Sequence, residues 1–118
     1  MMDKEINLAD LGIEIGIYTF GELLSDPHTG QFIQMKQRLD EIIEAAKLAD
    51  EAGLDVFGIG EHHRPDFVVS SPQVILAAIA QNTSKIKLIS ATTVLSTVDP
   101  VRLFEDFATL DIVSKGRA

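Results

Sequence analysis

The sequence predicts an α/β fold in which parallel strands alternate with helices. Three observations support this class: strand-like and helix-like segments follow one another in the order βαβαβα, the joins between them are short, and helix starts and ends carry recognisable signals. Such alternation is typical of parallel sheets with right-handed crossovers. A chain of 118 residues has room for one modest core, so we assign residues 1–118 to a single domain.

The first βα unit combines a short alternating strand with a long helix. Residues 13–18 alternate isoleucine with other side chains, which predicts a strand, and a loop rich in turn residues follows at 25–30. A helix is predicted from about Phe32 to Ala52, and Gly53 stands where a left-handed residue would end it. Its charged residues are expected to form a solvated face. The apolar face comprises Phe32, Met35, Leu39, Ile42, Ala46 and Ala49.

The second and third units each pair a strand with a helix that opens on proline. Residues 56–61 and 86–95 are rich in apolar and β-branched side chains, which predicts strands. Ser71-Pro72 and Asp99-Pro100 place an N-cap residue before a proline at the first helical position. We expect the two helices to run through Ala80 and to close at Gly116, respectively.

Two architectures accommodate this order of elements: an open doubly wound sheet and the opening of a (β/α)8 barrel. The dinucleotide-binding form of the first requires Gly-x-Gly-x-x-Gly after the first strand, and residues 18–23 do not supply it. Gly58 and Gly60 form a Gly-x-Gly pair, but residues 61–63 follow it in place of a helix. The residues themselves therefore leave both architectures open.

Composition excludes several classes of partner. The formal net charge of -8 has the wrong sign for binding nucleic acid or anionic membranes. The absence of cysteine excludes disulfides and thiolate nucleophiles and fits a reducing compartment. The longest apolar run, at 74–80, is too short for a bilayer, and the N-terminus has no signal-peptide pattern. We therefore expect a cytoplasmic protein.

Candidate functional residues lie at the predicted carboxyl ends of the strands, where parallel barrels carry their sites. On the second strand Gly58, Gly60 and His62 share one face, while Glu61 lies on the other. Because glycine has no side chain, these positions would leave open space beneath His62, which predicts that His62 faces the interior. The other positions expected to face inward are Glu14, Gly16, Tyr18, Ser90 and Thr92.

His62 is the residue best suited to proton transfer, because histidine changes its charge near neutral pH. The structural alternative is a hydrogen-bonded loop histidine. Another alternative is a metal-dependent hydrolase that uses Glu61, His62 and Asp66. Adjacent strand residues such as His62 and His63 point to opposite faces, so we predict no metal. His28 lies in a loop and is expected to be solvated.

Three motifs together resemble the bacterial luciferase-like flavin-dependent monooxygenase family. They are Glu61-His62-His63, the run 90–97 followed by Asp99-Pro100-Val101-Arg102, and the segment 110–117. The match extends in order from Gly12 to Ala118. The resemblance implies a (β/α)8 (TIM) barrel. Since a complete barrel needs ~250 residues, the chain is expected to be a partial barrel of about three βα units, truncated before strand 4.

The resemblance also implies the chemistry. Reduced FMN and O2 would oxidise a small organic substrate such as an aldehyde, with a separate flavin reductase as a possible partner, while some relatives use F420 instead. His62 would act as a base or hydrogen-bond donor beside the flavin, and we add Glu61 as a second catalytic candidate. A cis peptide bond is implied at Ala91–Thr92. The expected flavin-binding residues are Tyr18, Gly60, Ser90, Ala91 and Thr92.

A second interpretation is a non-catalytic remnant of the same fold that associates with copies of itself. Three βα units out of eight would leave unpaired strand edges and an uncovered sheet face, which proteins normally avoid. A homo-oligomer would cover both. Binding of reduced FMN distinguishes the enzyme from the remnant.

Overall fold

The computed structural model describes residues 11–118 and confirms the predicted alternation of strands and helices. Residues 1–10, on which the prediction of no signal peptide rests, lie outside the described residues. The elements are β1 (Gly16–Thr19), α1 (Met35–Glu51), β2 (Val56–Ile59), α2 (Pro72–Asn82), β3 (Lys87–Ser90) and α3 (Pro100–Ser114), with a 3-10 turn at Leu95–Thr97.

The three strands form one parallel sheet in the order β1-β2-β3. In its register Gly58 lies opposite Tyr18 on one side and opposite Ile89 on the other. Partners in a parallel ladder present their side chains to the same face, so these three positions share one face of the sheet. β1 and β3 form the two edges.

The helices cover only one face of this sheet. Phe57, Ile59 and Leu88 point to that face and are buried in the core that α1, α2 and α3 complete. The opposite face is uncovered: Tyr18 is 62% exposed and Ile89 is 45% exposed. We call the face that carries Tyr18, Gly58 and Ile89 the open face. In a closed barrel it would be the interior.

Several predicted boundaries are wrong. β1 begins at Gly16 instead of Ile13, and β2 ends at Ile59 instead of about Glu61. α1 begins at Met35 instead of about Phe32, because Phe32 pairs with Ser25 in an antiparallel bridge that closes the β1–α1 loop. As a result Phe32 and Met35 are exposed, and the buried apolar stripe starts further along the helix. β3 ends at Ser90 instead of about Leu95, because the chain then folds into a loop and a 3-10 turn.

The predicted helix ends are largely confirmed. Asp99 caps α3, its Oδ1 accepting the Arg102 N–H at 2.9 Å, and Gly53 adopts a φ of +81° after α1. Ser71 occupies the N-cap of α2, although its side chain makes no capping hydrogen bond. Within residues 11–118 no helix combines the length and apolar character needed to cross a membrane.

Candidate active site at the carboxyl edge of the sheet

His62 lies just beyond β2, between two phenylalanine rings. The Phe67 ring is stacked on the imidazole, with centroids 4.1 Å apart and planes 26° apart. The Phe20 ring meets it edge-on, with centroids 4.9 Å apart. The His62 backbone N–H donates to the Val69 carbonyl at 3.0 Å. The imidazole is therefore held from both sides by loops that follow two different strands.

The imidazole Nε2 of His62 is buried and has no hydrogen-bond partner within the described residues. A buried polar atom without a partner forfeits about 1–3 kcal/mol of hydration. Such atoms are rare in folded proteins and call for a specific explanation, of which a ligand is one. Nε2 is therefore the buried polar side-chain atom, among residues 11–118, whose hydrogen-bonding capacity is not met.

Gly58 in β2 and Gly60, which directly follows that strand, do not leave the open space that the sequence predicts. A Cβ placed on Gly60 would lie 2.1 Å from Cδ1 of Phe20, and one placed on Gly58 would lie 2.9 Å from Cβ of Tyr18. The prediction of a hollow beneath His62 is therefore wrong. The absence of side chains at Gly58 and Gly60 instead lets Tyr18, Phe20 and Ala91 approach the strand closely.

At the end of β3, Ala91 lies on the open face in place of the predicted Ser90. Ser90 pairs with Ile59 and so shares the helix-covered face, where its Oγ accepts a hydrogen bond from Thr93 Oγ1 at 2.9 Å. The prediction that Ser90 faces inward is wrong, because the buried Leu88 fixes the parity of the strand. Ala91 lies against Gly58 instead, and Thr92 is exposed.

The peptide bond between Ala91 and Thr92 is cis, as the family resemblance implies. The predicted inward position of Tyr18 is also confirmed by its register opposite Gly58. Of the predicted flavin-binding residues, Tyr18 and Ala91 thus share the open face, with Thr92 directly after them. Whether these residues bind flavin remains a prediction.

Glu61, the second predicted catalytic residue, is turned toward the loop after β3. Its side chain is only 7% exposed, and its Oε2 accepts the Val94 N–H at 2.9 Å. Its Oε1 lies 2.6 Å from His63 Nε2. Within residues 11–118 neither carboxylate oxygen of Glu61 is hydrogen-bonded to His62. The side chains of these two neighbouring residues therefore do not interact through a hydrogen bond.

Sequence reasoning missed Arg38, which braces the loop after β1. From α1 its Nε donates to the Glu22 carbonyl at 3.0 Å and its Nη2 donates to Thr19 Oγ1 at 3.2 Å. The expectation that all charges of α1 are solvated is wrong for this residue. The available signal was its position four residues before Ile42, on the buried face of the helix.

The metal alternative finds no cluster of ligands. Within the described residues, no group of three or more histidine or carboxylate side chains is placed to hold an ion. Asp66 is engaged elsewhere: Arg64 donates to its two oxygens at 2.9 and 2.8 Å. This hydrogen bonding by Arg64 lowers the pKa of the Asp66 carboxyl.

A known protein family and a curated protein are similar to this chain. The family model described as luciferase-like monooxygenase matches residues 13–118. The oxygenase component of flavin-dependent trigonelline monooxygenase from Acinetobacter baylyi is 31% identical over 106 residues, which are 89% of this chain and 28% of that protein. The chain thus spans less than a third of the length of this curated relative.

Two solved structures resemble the fold. One is the oxygenating constituent of 3,6-diketocamphane monooxygenase from Pseudomonas putida in complex with FMN, with a TM-score of 0.74 and 26% identity over 88% of this chain and 27% of that one. The other is the F420-dependent tetrahydromethanopterin reductase from Methanopyrus kandleri, with a TM-score of 0.69 and 27% identity over 90% of this chain and 25% of that one. The predicted fold class, a partial TIM barrel with an unclosed three-stranded sheet, is confirmed.

Proposed function

The chain belongs to the luciferase-like monooxygenase family, and from this premise we propose that it supplies part of an FMN-dependent monooxygenase site. The reaction would use reduced FMN and O2 to oxidise a small organic, aldehyde-like substrate. His62 is the residue that we assign to the chemistry. The observation that carries this assignment is the buried Nε2 of His62 at the carboxyl edge of the sheet, which has no hydrogen-bond partner among residues 11–118.

The residues at this edge fit a flavin. A flavin is a flat heteroaromatic ring with a polar edge, and it requires an apolar surface beside a hydrogen-bonding group. The open face offers the exposed Tyr18 ring, Ile89 and Ala91, and His62 stands beyond the adjacent strand end. Tyr18, Ala91 and Thr92 would hold the ring, and His62 would hydrogen-bond to it or to the substrate. When bound, reduced FMN supplies the electrons that insert one oxygen atom of O2 into the substrate and reduce the other to water.

The protein's own contribution is then the placement of a proton at His62 Nε2. The Phe67 and Phe20 rings flank the imidazole, and polar interactions are stronger in such apolar surroundings than in water. Histidine can accept or return a proton at near-neutral pH, which suits it to a reaction that consumes protons when oxygen is reduced.

We assign FMN as the cofactor ahead of F420. FMN is the ligand named for the Pseudomonas putida monooxygenase structure, while F420 is named for the Methanopyrus kandleri reductase. The words "oxygenase component" and "oxygenating constituent" in the names of two relatives support a separate flavin reductase as the partner that delivers reduced FMN.

Anaerobic titration of the chain with reduced FMN tests this proposal, followed by calorimetry and by the thermal midpoint. We expect saturable binding, and we expect His62→Ala to weaken it about tenfold, which corresponds to ~1.4 kcal/mol. His28→Ala is the matched control, since His28 lies in the exposed β1–α1 loop. A parallel titration with F420 should give weaker binding.

Three results would contradict the proposal. One is the absence of saturable binding of reduced FMN, and another is an equal affinity in the two histidine variants. Tighter binding of F420 than of FMN would transfer the assignment to a deazaflavin reaction.

Self-association is a second candidate function, favoured by the open face. Tyr18 and Ile89 are exposed there, and β1 and β3 are the edges of the three-stranded sheet, although the Leu88 N–H of β3 donates to the Arg117 carbonyl at 2.7 Å. An apolar face of this kind marks an interaction surface. A second copy of the chain laid on it would cover these side chains and form a homo-oligomer.

Sedimentation velocity measures this association directly. We expect a dimer or larger species at micromolar concentration, and we expect Ile89→Lys to shift it toward monomer because the charge would be buried in the contact. Thr29→Lys, in the exposed β1–α1 loop, is the control and should leave the distribution unchanged. A monomeric wild-type chain would refute the self-associating alternative and leave the flavin proposal intact.

A further inference from the structure

The buried Glu61 carboxylate joins the end of β2 to the loop that follows β3. Its Oε2 accepts the Val94 N–H at 2.9 Å, and its Oε1 lies 2.6 Å from His63 Nε2 and 3.5 Å from Thr97 Oγ1. The Glu61 side chain is 7% exposed, and its bond with Val94 is partly buried, whereas its contacts with His63 and Thr97 are exposed. A bond from a backbone N–H to a carboxylate is also stronger than one between neutral groups.

The loop has little else to hold it. Its other hydrogen bonds are local: Thr93 Oγ1 donates to Ser90 Oγ, and Thr97 donates to the Val94 carbonyl through both its N–H and its hydroxyl. Within residues 11–118, Glu61 makes the only hydrogen bonds that join residues 92–97 to an element other than β3. The Ala91 N–H just before these residues still donates to the Ile59 carbonyl of β2 at 2.8 Å, so the carboxylate governs the position of residues 92–97 and not that of Ala91.

We infer that Glu61 is a positioning residue that fixes the loop 92–97, and with it Thr92, against the flavin site. This inference rests on the proposed function, because its consequence for binding requires that flavin lies on Thr92. It replaces a direct catalytic role for Glu61, whose two oxygens are already engaged by Val94, His63 and Thr97.

Removing the carboxylate would leave the Val94 N–H without an acceptor. A desolvated N–H without a partner is unfavourable, so the loop would open toward water to recover the hydrogen bond. A glutamine at the same place keeps an amide oxygen that accepts the same bond, which predicts that it restores the loop. An alanine does not.

Amide hydrogen exchange on the ¹⁵N-labelled chain tests the inference, together with the reduced-FMN titration. We expect Glu61→Ala to accelerate exchange at Val94 by about tenfold or more, relative to the core amide of Leu88. In the same variant the affinity for reduced FMN should fall about tenfold. Glu61→Gln should stay close to the wild type in both measurements, because it retains the acceptor.

Asp50→Asn is the matched control for general destabilisation, since Asp50 lies at the opposite edge of the sheet and holds a different turn. In Asp50→Asn the exchange rate at the Val94 amide should change by the same factor as the rate at the Leu88 amide. The affinity for reduced FMN should not change.

Unchanged relative exchange at Val94 in Glu61→Ala would overturn the inference, as would equal losses of FMN affinity in the glutamine and alanine variants. The exchange experiment requires no flavin. A wild-type chain that fails to bind FMN would therefore refute the proposed function, while exchange at Val94 would still decide whether Glu61 positions the loop.

Discussion

The two ends of the sheet differ in how completely their polar groups are paired. At the amino edge, Asp50 of α1 accepts the backbone N–H groups of Ser84, Lys85 and Ile86 at 2.8, 2.9 and 2.6 Å. At the carboxyl edge, the buried Nε2 of His62 has no partner among the described residues. Both edges use carboxylates to satisfy backbone N–H groups, since Glu61 accepts the Val94 N–H, but among residues 11–118 only the carboxyl edge also leaves a buried polar side-chain atom without a partner.

Arg117 shows the same saturation at the amino edge. Its guanidinium donates to the carbonyls of Ala80, Thr83, Ile86 and Ser114 at 2.9, 3.2, 2.9 and 2.8 Å and to the Thr83 hydroxyl at 2.9 Å. These bonds tie the ends of α2 and α3 to the start of β3. In parallel α/β barrels the amino face serves stability and the carboxyl face carries the site. The contrast in this chain follows that division, and it can be tested residue by residue.

The largest effect on stability is expected at Arg117. Arg117→Ala would leave several carbonyl groups without donors, and we expect the free energy of unfolding to fall by about 3 kcal/mol. Urea denaturation measures it. The control is Arg102→Ala, whose exposed side chain pairs with Glu105 at 3.3 Å and should contribute little. Equal losses in the two variants would contradict the special role of the amino edge.

A smaller effect is expected at Asp50. Asp50→Ala removes the acceptor of three backbone N–H groups, and we expect a loss of about 2 kcal/mol in urea denaturation. Glu44→Ala is the control, since the exposed Glu44 pairs only with Lys47 on the same helix.

The hydrogen bonds of Asp50 also predict that the free energy of unfolding depends on pH. Desolvation is the largest influence and acts to raise the pKa of this carboxyl, but the N–H donors of Ser84, Ile86 and Lys85 together outweigh it and hold the pKa below its usual value. A depressed pKa contributes stability above the unfolded value of about 3.9, and that stability is lost as the pH falls below about 4. The Asp50→Asn variant should lose less stability across that range than the wild type, and an identical acid profile would contradict this assignment.

The smallest effect is expected at the carboxyl edge. A methyl group on Gly60 would lie 2.1 Å from Cδ1 of Phe20 and 3.2 Å from the Ala91 carbonyl oxygen, so Gly60→Ala requires the Phe20 ring to move and should lower the free energy of unfolding by about 1 kcal/mol. It should nevertheless shift the NMR signals of the His62 ring, because Phe20 packs against that ring.

Gly58→Ala is the comparison for that variant. Its methyl group would meet the Cβ atoms of Tyr18 and Ala91 at 2.9 and 3.0 Å, and these atoms cannot move without the backbone. Gly58→Ala should therefore destabilise the fold more than Gly60→Ala does. If the NMR signals of the His62 ring did not change in Gly60→Ala, the position of Phe20 would not depend on the missing side chain at Gly60.

Local sequence signals predicted the elements well, and they failed where a side chain meets a distant part of the chain. The cap at Asp99 and the left-handed Gly53 depend on neighbouring residues only, and both are confirmed. The open space predicted above Gly60 is filled by Phe20, which lies forty positions earlier and reaches Gly60 only because β1 pairs with β2. The orientation of Ser90 was misjudged because a small polar residue fits either face of a strand.

The amino-acid sequence by itself determined the order of the strands and helices, the places where helices start and stop, and the residues that gather at the strand ends. These features follow from periodicity and from short-range backbone preferences. The tertiary structure alone decided that Glu61 bonds to Val94, that Arg38 reaches Thr19, and that the His62 ring lies between Phe20 and Phe67. Each of these contacts joins residues that only strand pairing and helix packing bring within hydrogen-bonding or van der Waals distance.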